Sequence, residues 1–365
     1  MENSQGALDN NSVRESVDGA ANWENIQMQD TELATKQLQD ANGGVKSSES
    51  LLTVNGKVYD VAPFLDLHPG GPDLIAEHLN GKDVGRLMKG LDEPGAHAHS
   101  KAAMKMLEQF LLKDLTLSEK RVEEPQKSEK KFQVDLTKPL VPQVGYLGKD
   151  YDEWVHTPII SKESPRFFES DFLESFTRSE WWTIPLVWGP LVLWLEIRAL
   201  KLGVPLEKLL PAMLLGYGMW SILEYFLHRF LFHMKAHTYW TATAHYLLHG
   251  FHHKHPMDYK RIVFPPAFAT PIVYLTWLFV KAIFPDGFSH SVFGGVMLGY
   301  IVYDLTHYFL HFGNGFTHQL RHMKRYHLNH HFKVQTEGFG VSSEVWDWVF
   351  GTLPANYRSE LSKKD

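Results

Sequence analysis

Apolar and polar positions change their period three times along the chain. Residues 1–48 are polar and carry no apolar repeat, the pattern of a disordered tail. No positive stretch followed by an apolar run is visible there, so no cleavable signal peptide is expected and the N-terminus is expected to stay in the cytosol. From Leu51 the pattern alternates. LLTVNGKVYDV sets apolar residues on both sides of Asn55-Gly56, which predicts a hairpin closed by a two-residue turn. Helical stretches are predicted at 72–80, 82–89 and 100–112. Residues 116–135 are charged and polar and read as a solvated linker.

From residue 180 the pattern becomes continuously apolar. Four runs, 181–197, 209–227, 264–284 and 292–310, each have the length a helix needs to cross a bilayer. Trp181, Trp182 and Trp194 fit an interfacial belt. Pro185, Pro190, Pro211 and Pro271 are tolerable because helix bundles can satisfy the freed backbone groups. The first pair of runs can also be read as a hairpin that does not fully span. Four crossings would place the N-terminal unit, the 228–262 loop and the C-terminal segment on one side. Arg229, Lys235, Lys254, Lys260 and Arg261 in that loop favour the cytosol, against Arg198, Lys201 and Lys208 on the other side.

Composition narrows the chemistry. A formal net charge of −6 argues against a nucleic-acid face. The chain has no cysteine, which removes disulfides, iron–sulfur clusters and thiolate-bound metals. Any metal must then sit on His, Asp or Glu. Histidine is the anomaly: 16 of the 21 fall between His228 and His331, where an even scatter would put about six.

Two kinds of histidine site are expected. In the first, His68-Pro69-Gly70-Gly71 follows the hairpin and precedes a helix. Such a turn fixes an imidazole and lets backbone approach closely, as an axial haem ligand requires. A second axial histidine is expected at His99, with His97 next, just before the helix near Ser100. Phe64, Leu65, Leu74, Leu87 and Leu107 are candidates to line the haem pocket. Two histidine ligands leave no open position on the iron, so this b-type haem would carry electrons.

The second kind is a repeated ligand pattern. His249, His252 and His253 share one helical face, as do His327, His330 and His331; His307 and His311 form an i, i+4 pair. His228 and His233 lie five apart and fit one α-helical face poorly, so they are expected to straddle two metals or a helix end. Ten imidazoles are too many for one ion and suit two. Glu224 and Asp304 are candidates to orient the imidazoles. His245, His255, His318 and His322 are left outside the metal set. Zinc on this donor set would imply a hydrolase, but a hydrolytic zinc needs no electron donor. A fused haem unit favours iron, with O2 as co-substrate.

VYDVAPFLDLHPGG resembles the cytochrome b5 family, in which the second ligand precedes a serine, favouring His99. The spacing between the two ligands is longer here than in typical members. From about residue 50 to 353 the chain resembles the fatty acid 2-hydroxylases. The segments that carry this are HPGG, KPLVPQVGYLGKDYDEWVH, EYFLHRFLFH, HYLLHGFHHKHP, YDLTHYFLHFG, YHLNHH and GFGVSS. The resemblance implies a small α+β cytochrome b5-like haem domain over 49–116, a linker and membrane-entry segment over 117–179, and an all-α integral membrane domain over 180–355 with about four transmembrane helices and a cytosolic histidine-rich di-metal cap. Residues 356–365 would be a C-terminal tail. It implies 2-hydroxylation of fatty acyl chains for sphingolipid synthesis in the endoplasmic reticulum, with electrons from NADPH or NADH through a reductase. The ten histidines match that family's metal-ligand pattern, with iron expected for activity and zinc able to occupy the sites. Competing readings are a desaturase or sterol hydroxylase of the same histidine-box class, a zinc-dependent membrane hydrolase, and an inactive lipid-binding protein. Fused front-end desaturases usually open the last box with Gln, where this chain has His327.

Overall fold

The structure is a computed structural model that describes residues 50–65, 68, 72–91, 98–114, 132–160, 164–313, 317–355 and 357. The expected tail 1–48, Pro69-Gly70-Gly71, His97, linker residues 116–131 and nearly all of the 356–365 tail lie outside the described residues.

The first unit is built on the predicted hairpin. Strands β1 (Leu51–Val54) and β2 (Lys57–Asp60) pair antiparallel, Val54 opposite Lys57. Asn55 and Gly56 take φ of 50° and 75°, the left-handed pair that a tight hairpin turn requires. The Asp83 carboxylate accepts both backbone N–H groups of that turn, at 2.8 and 2.6 Å. This explains a difference from expectation: 82–89 is a chain of turns, not a helix. Asp83 ties the segment to the hairpin, and Val84 N–H donates to Thr53 O at 2.9 Å, so the start of the segment is held by the hairpin instead of opening a helical ladder. Helix α1 is also shorter than predicted, Pro72–Ala76. Helix α2 (Lys101–Leu107) stops at Leu107 instead of 112. The chain then turns through Glu108–Phe110 into a third strand, β3 (Leu111–Asp114), which satisfies the free edge of β2.

The second unit is helical. Helices α3 (Thr183–Lys201), α4 (Leu206–Phe226, continued to Phe232) and, later in the chain, Pro266–Ile283 are each long and apolar enough to cross a membrane. Between α4 and that third span lies the short helix α5 (Tyr239–His245), and the Pro266–Ile283 span is α6. The fourth expected run sits in α7 (Asp286–Phe312), a 27-residue helix whose side chains are mostly buried against its neighbours. α7 is thus the hub of the bundle, not a fourth lipid-facing rod. Its contact with α4 depends on glycine: a Cβ at Gly216 would lie 1.8 Å from Val292 O, and one at Gly295 would lie 2.0 Å from Met213 O. The two backbones touch, as small residues permit in membrane bundles. Leu186, Leu193, Leu210, Leu214, Leu275 and Phe279 point outward and exposed, an apolar surface that suits lipid.

The segment between the units is packed, not loose, once it reaches Leu140. Leu140, Val144, Tyr151 and Val155 are buried against Tyr246 and Phe251 of the histidine-rich loop. Arg261 braces the other end of that loop, fully enclosed and paired with Glu174 and, at 3.1 Å, with Asp258. Helix α8 (His318–Phe332) closes the same end of the bundle.

Candidate metal centre

All ten sequence-selected histidines converge at one end of the helical unit. They form two groups of five, His228, His233, His249, His253 and His330 in one, and His252, His307, His311, His327 and His331 in the other. In each group one nitrogen per residue lies within 4.8 Å of all the others.

The sharing differs from the facial clusters that α-helical spacing suggests. In each HxxHH segment the i, i+4 pair serves one group, and the histidine at i+3 serves the other. His249 and His253 belong together while His252 crosses over; His327 and His331 belong together while His330 crosses back. The run of helical turns over Tyr246–Gly250 and Phe251–Lys254 and helix α8 therefore each contribute to both groups, and the two groups share a wall, with the His253 and His331 rings 4.3 Å apart.

His228 and His233 do not straddle the two groups; both lie in the first. The chain is wound as a π-helix over Leu227–Phe232, and His233 N–H donates to His228 O at 3.1 Å. A repeat that bonds i to i+5 brings residues five apart onto one face. Tyr246–Gly250, which leads into His249, is π-wound as well. Such windings are frequent at functional sites.

The donor geometry fits metal ions. Nε2 atoms approach each other at 3.1 Å for His228 and His249, 3.2 Å for His233 and His253, and 3.0 Å for His233 and His330. In the second group the separations are 2.9 Å for His252 and His307, and 3.0 Å for His327 with both His311 and His331. A metal–imidazole bond of about 2.0–2.1 Å puts neighbouring ligands roughly 2.9–3.4 Å apart. Five Nε2 atoms facing one another cannot satisfy themselves with shared protons, and burying unpaired nitrogens is costly. A cation between them satisfies all five.

Electrostatics agrees. Burial first, and neighbouring imidazoles second, hold His249, His252, His253, His327 and His331 well below the ordinary histidine pKa. These rings are neutral at physiological pH, with lone pairs ready for a metal.

The orienting groups are not the expected carboxylates. Glu224 accepts from Ser342 N–H and Oγ–H instead of from an imidazole, and Asp304 faces Phe264 N–H. Backbone carbonyls do the work: His228 Nδ1–H donates to Phe339 O at 2.5 Å, and His330 Nδ1–H to Glu337 O at 2.9 Å. Each bond fixes the tautomer that leaves the Nε2 lone pair inward.

Two neighbours escaped the sequence reading. His156 lies beside the first group, its ring 5.1 Å from that of His253, with Nδ1–H donating to Asp152 O at 2.9 Å. It is solitary in sequence, and the only signal was its place at the end of KPLVPQVGYLGKDYDEWVH. Tyr151 Oη and His245 Nδ1 meet at 2.7 Å, which accounts for His245 without a metal. His255 and His322 stay outside the groups, the latter paired with Glu344 at 2.9 Å, and His318 is exposed.

An apolar cavity opens on the site. His249, His252 and His307 line one end, and Ile272, Val273, Thr276, Phe293, Val296 and Met297 line the rest.

In the first unit the His68 and His99 rings face each other, centroids 6.5 Å apart and planes 24° apart. Two imidazoles ligating one iron in line, each nitrogen about 2 Å away, require roughly this spacing. Phe64 meets His68 edge-on at 5.5 Å, and a second cavity adjoins His99 and Met88. Leu74, one of the expected lining residues, is instead half exposed.

Both units match known families. The family described as cytochrome b5-like heme/steroid binding domain matches residues 34–116, and the family described as fatty acid hydroxylase matches 213–352. A fatty acid 2-hydroxylase of Homo sapiens is 37% identical over 81% of this chain and 89% of its own length. A dihydroceramide fatty acyl 2-hydroxylase of Arabidopsis thaliana is 51% identical over 61% of this chain and 94% of its own. A solved structure described as full-length scs7p with only the hydroxylase domain visible superposes with a TM-score of 0.59 at 35% identity, covering 62% of this chain and 88% of that one.

Proposed function

The chain belongs to the fatty acid 2-hydroxylase family and hydroxylates fatty acyl chains at carbon 2, and we propose that it does so with two irons, one in each five-histidine group, fed by a haem between His68 and His99. The proposed metal ligands are His228, His233, His249, His253 and His330 at one ion and His252, His307, His311, His327 and His331 at the other. The observation that carries this reading is the pairing, in one chain, of two five-nitrogen donor sets with a stacked histidine pair in a cytochrome b5-like domain. A hydrolytic zinc centre has no use for an electron carrier, although zinc fits the same nitrogen donors.

Bound iron would supply O2 activation, drawing electrons one at a time. The protein's own residues do the rest. Phe339 O and Glu337 O hold His228 and His330 in position. The apolar cavity takes the acyl tail and keeps water from the reacting carbon. It follows α7 from His307 to Phe293, a helical rise of about 21 Å, the scale of a long acyl chain. We assign the substrates to the fatty acyl chains of sphingolipids, as the relatives' names indicate.

The reductant is NADH or NADPH, acting through a separate reductase on the haem domain. We place the protein in the endoplasmic reticulum membrane as a multi-pass chain, with the haem domain and both metals facing the cytosol. The first unit's contact with α8 supports a common side for the two sites. The proposed boundaries are 49–116 for the haem domain and 180–355 for the membrane hydroxylase domain.

Cells expressing the chain and fed long acyl precursors should accumulate 2-hydroxy acyl sphingolipids by mass spectrometry. Thr276→Trp, at the deep end of the cavity, should shift that product toward shorter chains at unchanged haem and metal content. A new double bond in place of the hydroxyl would move the chain to the desaturases.

A further inference from the structure

The haem-domain core does not end at its own boundary. Leu328 and Phe332 of α8 are buried in the same apolar cluster as Val54, Phe64, Met106 and Leu107. Around that patch, Lys105 pairs with Glu153 at 3.2 Å, and Gln109 Nε2–H donates to Pro158 O at 3.2 Å. At its centre, Ser100 Oγ–H donates to Phe332 O at 2.5 Å.

Position gives that bond its meaning. Ser100 is the covalent neighbour of His99, the proposed haem ligand, and Phe332 is the covalent neighbour of His331, a proposed ligand in the second metal group. A single hydrogen bond therefore joins the two ligand-bearing backbones. Electron tunnelling decays more slowly along covalent and hydrogen bonds than across a gap. We infer that the docked arrangement is the electron-delivering one, that electrons leave the haem toward the His331 metal group by way of His99–Ser100···Phe332–His331, and that Ser100 is the positioning residue of this route.

The inference rests on the haem and di-iron reading above. Each transfer oxidises ferrous haem to ferric and reduces the metal site by one electron, and the reductase restores the ferrous haem. Two transfers per turnover, with two protons from solvent, balance R–H + O2 to R–OH + H2O.

Ser100 also caps α2, its Oγ accepting from Ala103 N–H at 3.1 Å. Alanine would damage both roles, so the informative variant is Ser100→Asp. A carboxylate still caps the helix but cannot donate to Phe332 O. Full-length protein with pre-reduced haem is mixed with O2 and acyl substrate, and haem reoxidation is followed by absorbance. Ser100→Asp should slow reoxidation at least tenfold, with an unchanged haem spectrum and unchanged reduction by the reductase, and Ser100→Thr should restore the rate.

The chain lacks cysteine, so Lys105→Cys with Glu153→Cys offers one selective crosslink through a short bis-maleimide. The crosslink should form in high yield, read by mass spectrometry, and the locked protein should still reoxidise its haem. A wild-type rate in Ser100→Asp, a locked protein that keeps its haem reduced, or two labelled cysteines that never join would each overturn the inference. A wild-type protein without b-type haem absorption, or without 2-hydroxy product, would instead overturn the reading beneath it, and the inference with it.

Discussion

His330→Ala is expected to lower 2-hydroxy product at least ~100-fold, about 2.7 kcal/mol of barrier, and to remove close to one metal ion per chain while leaving the haem spectrum intact. His330 is fully buried, and its Nε2 sits 3.0 Å from that of His233. It is the residue by which α8 reaches the first group, since His327 and His331 serve the second. Its loss leaves four donors in one group and five in the other, so metal analysis should show one site weakened and not both. His318, on the same helix but exposed, is the control: His318→Ala should keep metal and product. Retained turnover in His330→Ala would remove α8 from the first site.

His68→Ala should separate the two halves of the protein. The six-coordinate b-type absorption should vanish, because His99 alone offers one axial ligand where the fold provides two facing rings. Product formed with NAD(P)H and reductase should fall at least ~100-fold. Metal content should stay near wild type, because no histidine of either five-membered group lies in the first unit. A single turnover driven by a small chemical reductant should survive. An unchanged haem spectrum would break the assignment of the first unit.

That eight of the histidines gather was legible because their i, i+3 and i+4 spacing is a property of sequence alone, and His228 and His233 join them at five-residue spacing. Their division was not. Treating His249, His252 and His253 as one face puts three ligands on one ion, whereas the packed helices send His252 across to His307 at 2.9 Å. The fate of His228 and His233 depends on a local switch from α to π winding, which no repeat in EYFLHRFLFH announces. Glu224 and Asp304 looked like orienting groups because they lie one turn from a ligand. The actual acceptors, Phe339 O and Glu337 O, are backbone atoms about 110 and 7 residues away in sequence, and side-chain patterns cannot report them.

The fold divides in the same way. The Asn55-Gly56 turn was readable because few other pairs adopt φ of 50° and 75°. Strand β3 was not, because LLKD at the end of a helical stretch becomes a strand only through the free edge of β2. The apolar runs gave the helices, but not that α7 is their buried centre. That follows from glycine contacts at Gly216 and Gly295, where backbone meets backbone.

Insertion of an oxygen atom from O2 into an acyl C–H bond, with electrons passed through the chain's own haem domain, has a direct isotopic readout. Purified protein, supplied with reductase, NAD(P)H and a long-chain acyl substrate under 18O2, tests it most directly by mass spectrometry of the product. The expected product is a 2-hydroxy acyl chain carrying one 18O, lost in His330→Ala. A hydroxyl oxygen drawn from water, or a product with a new double bond and no added oxygen, would contradict it.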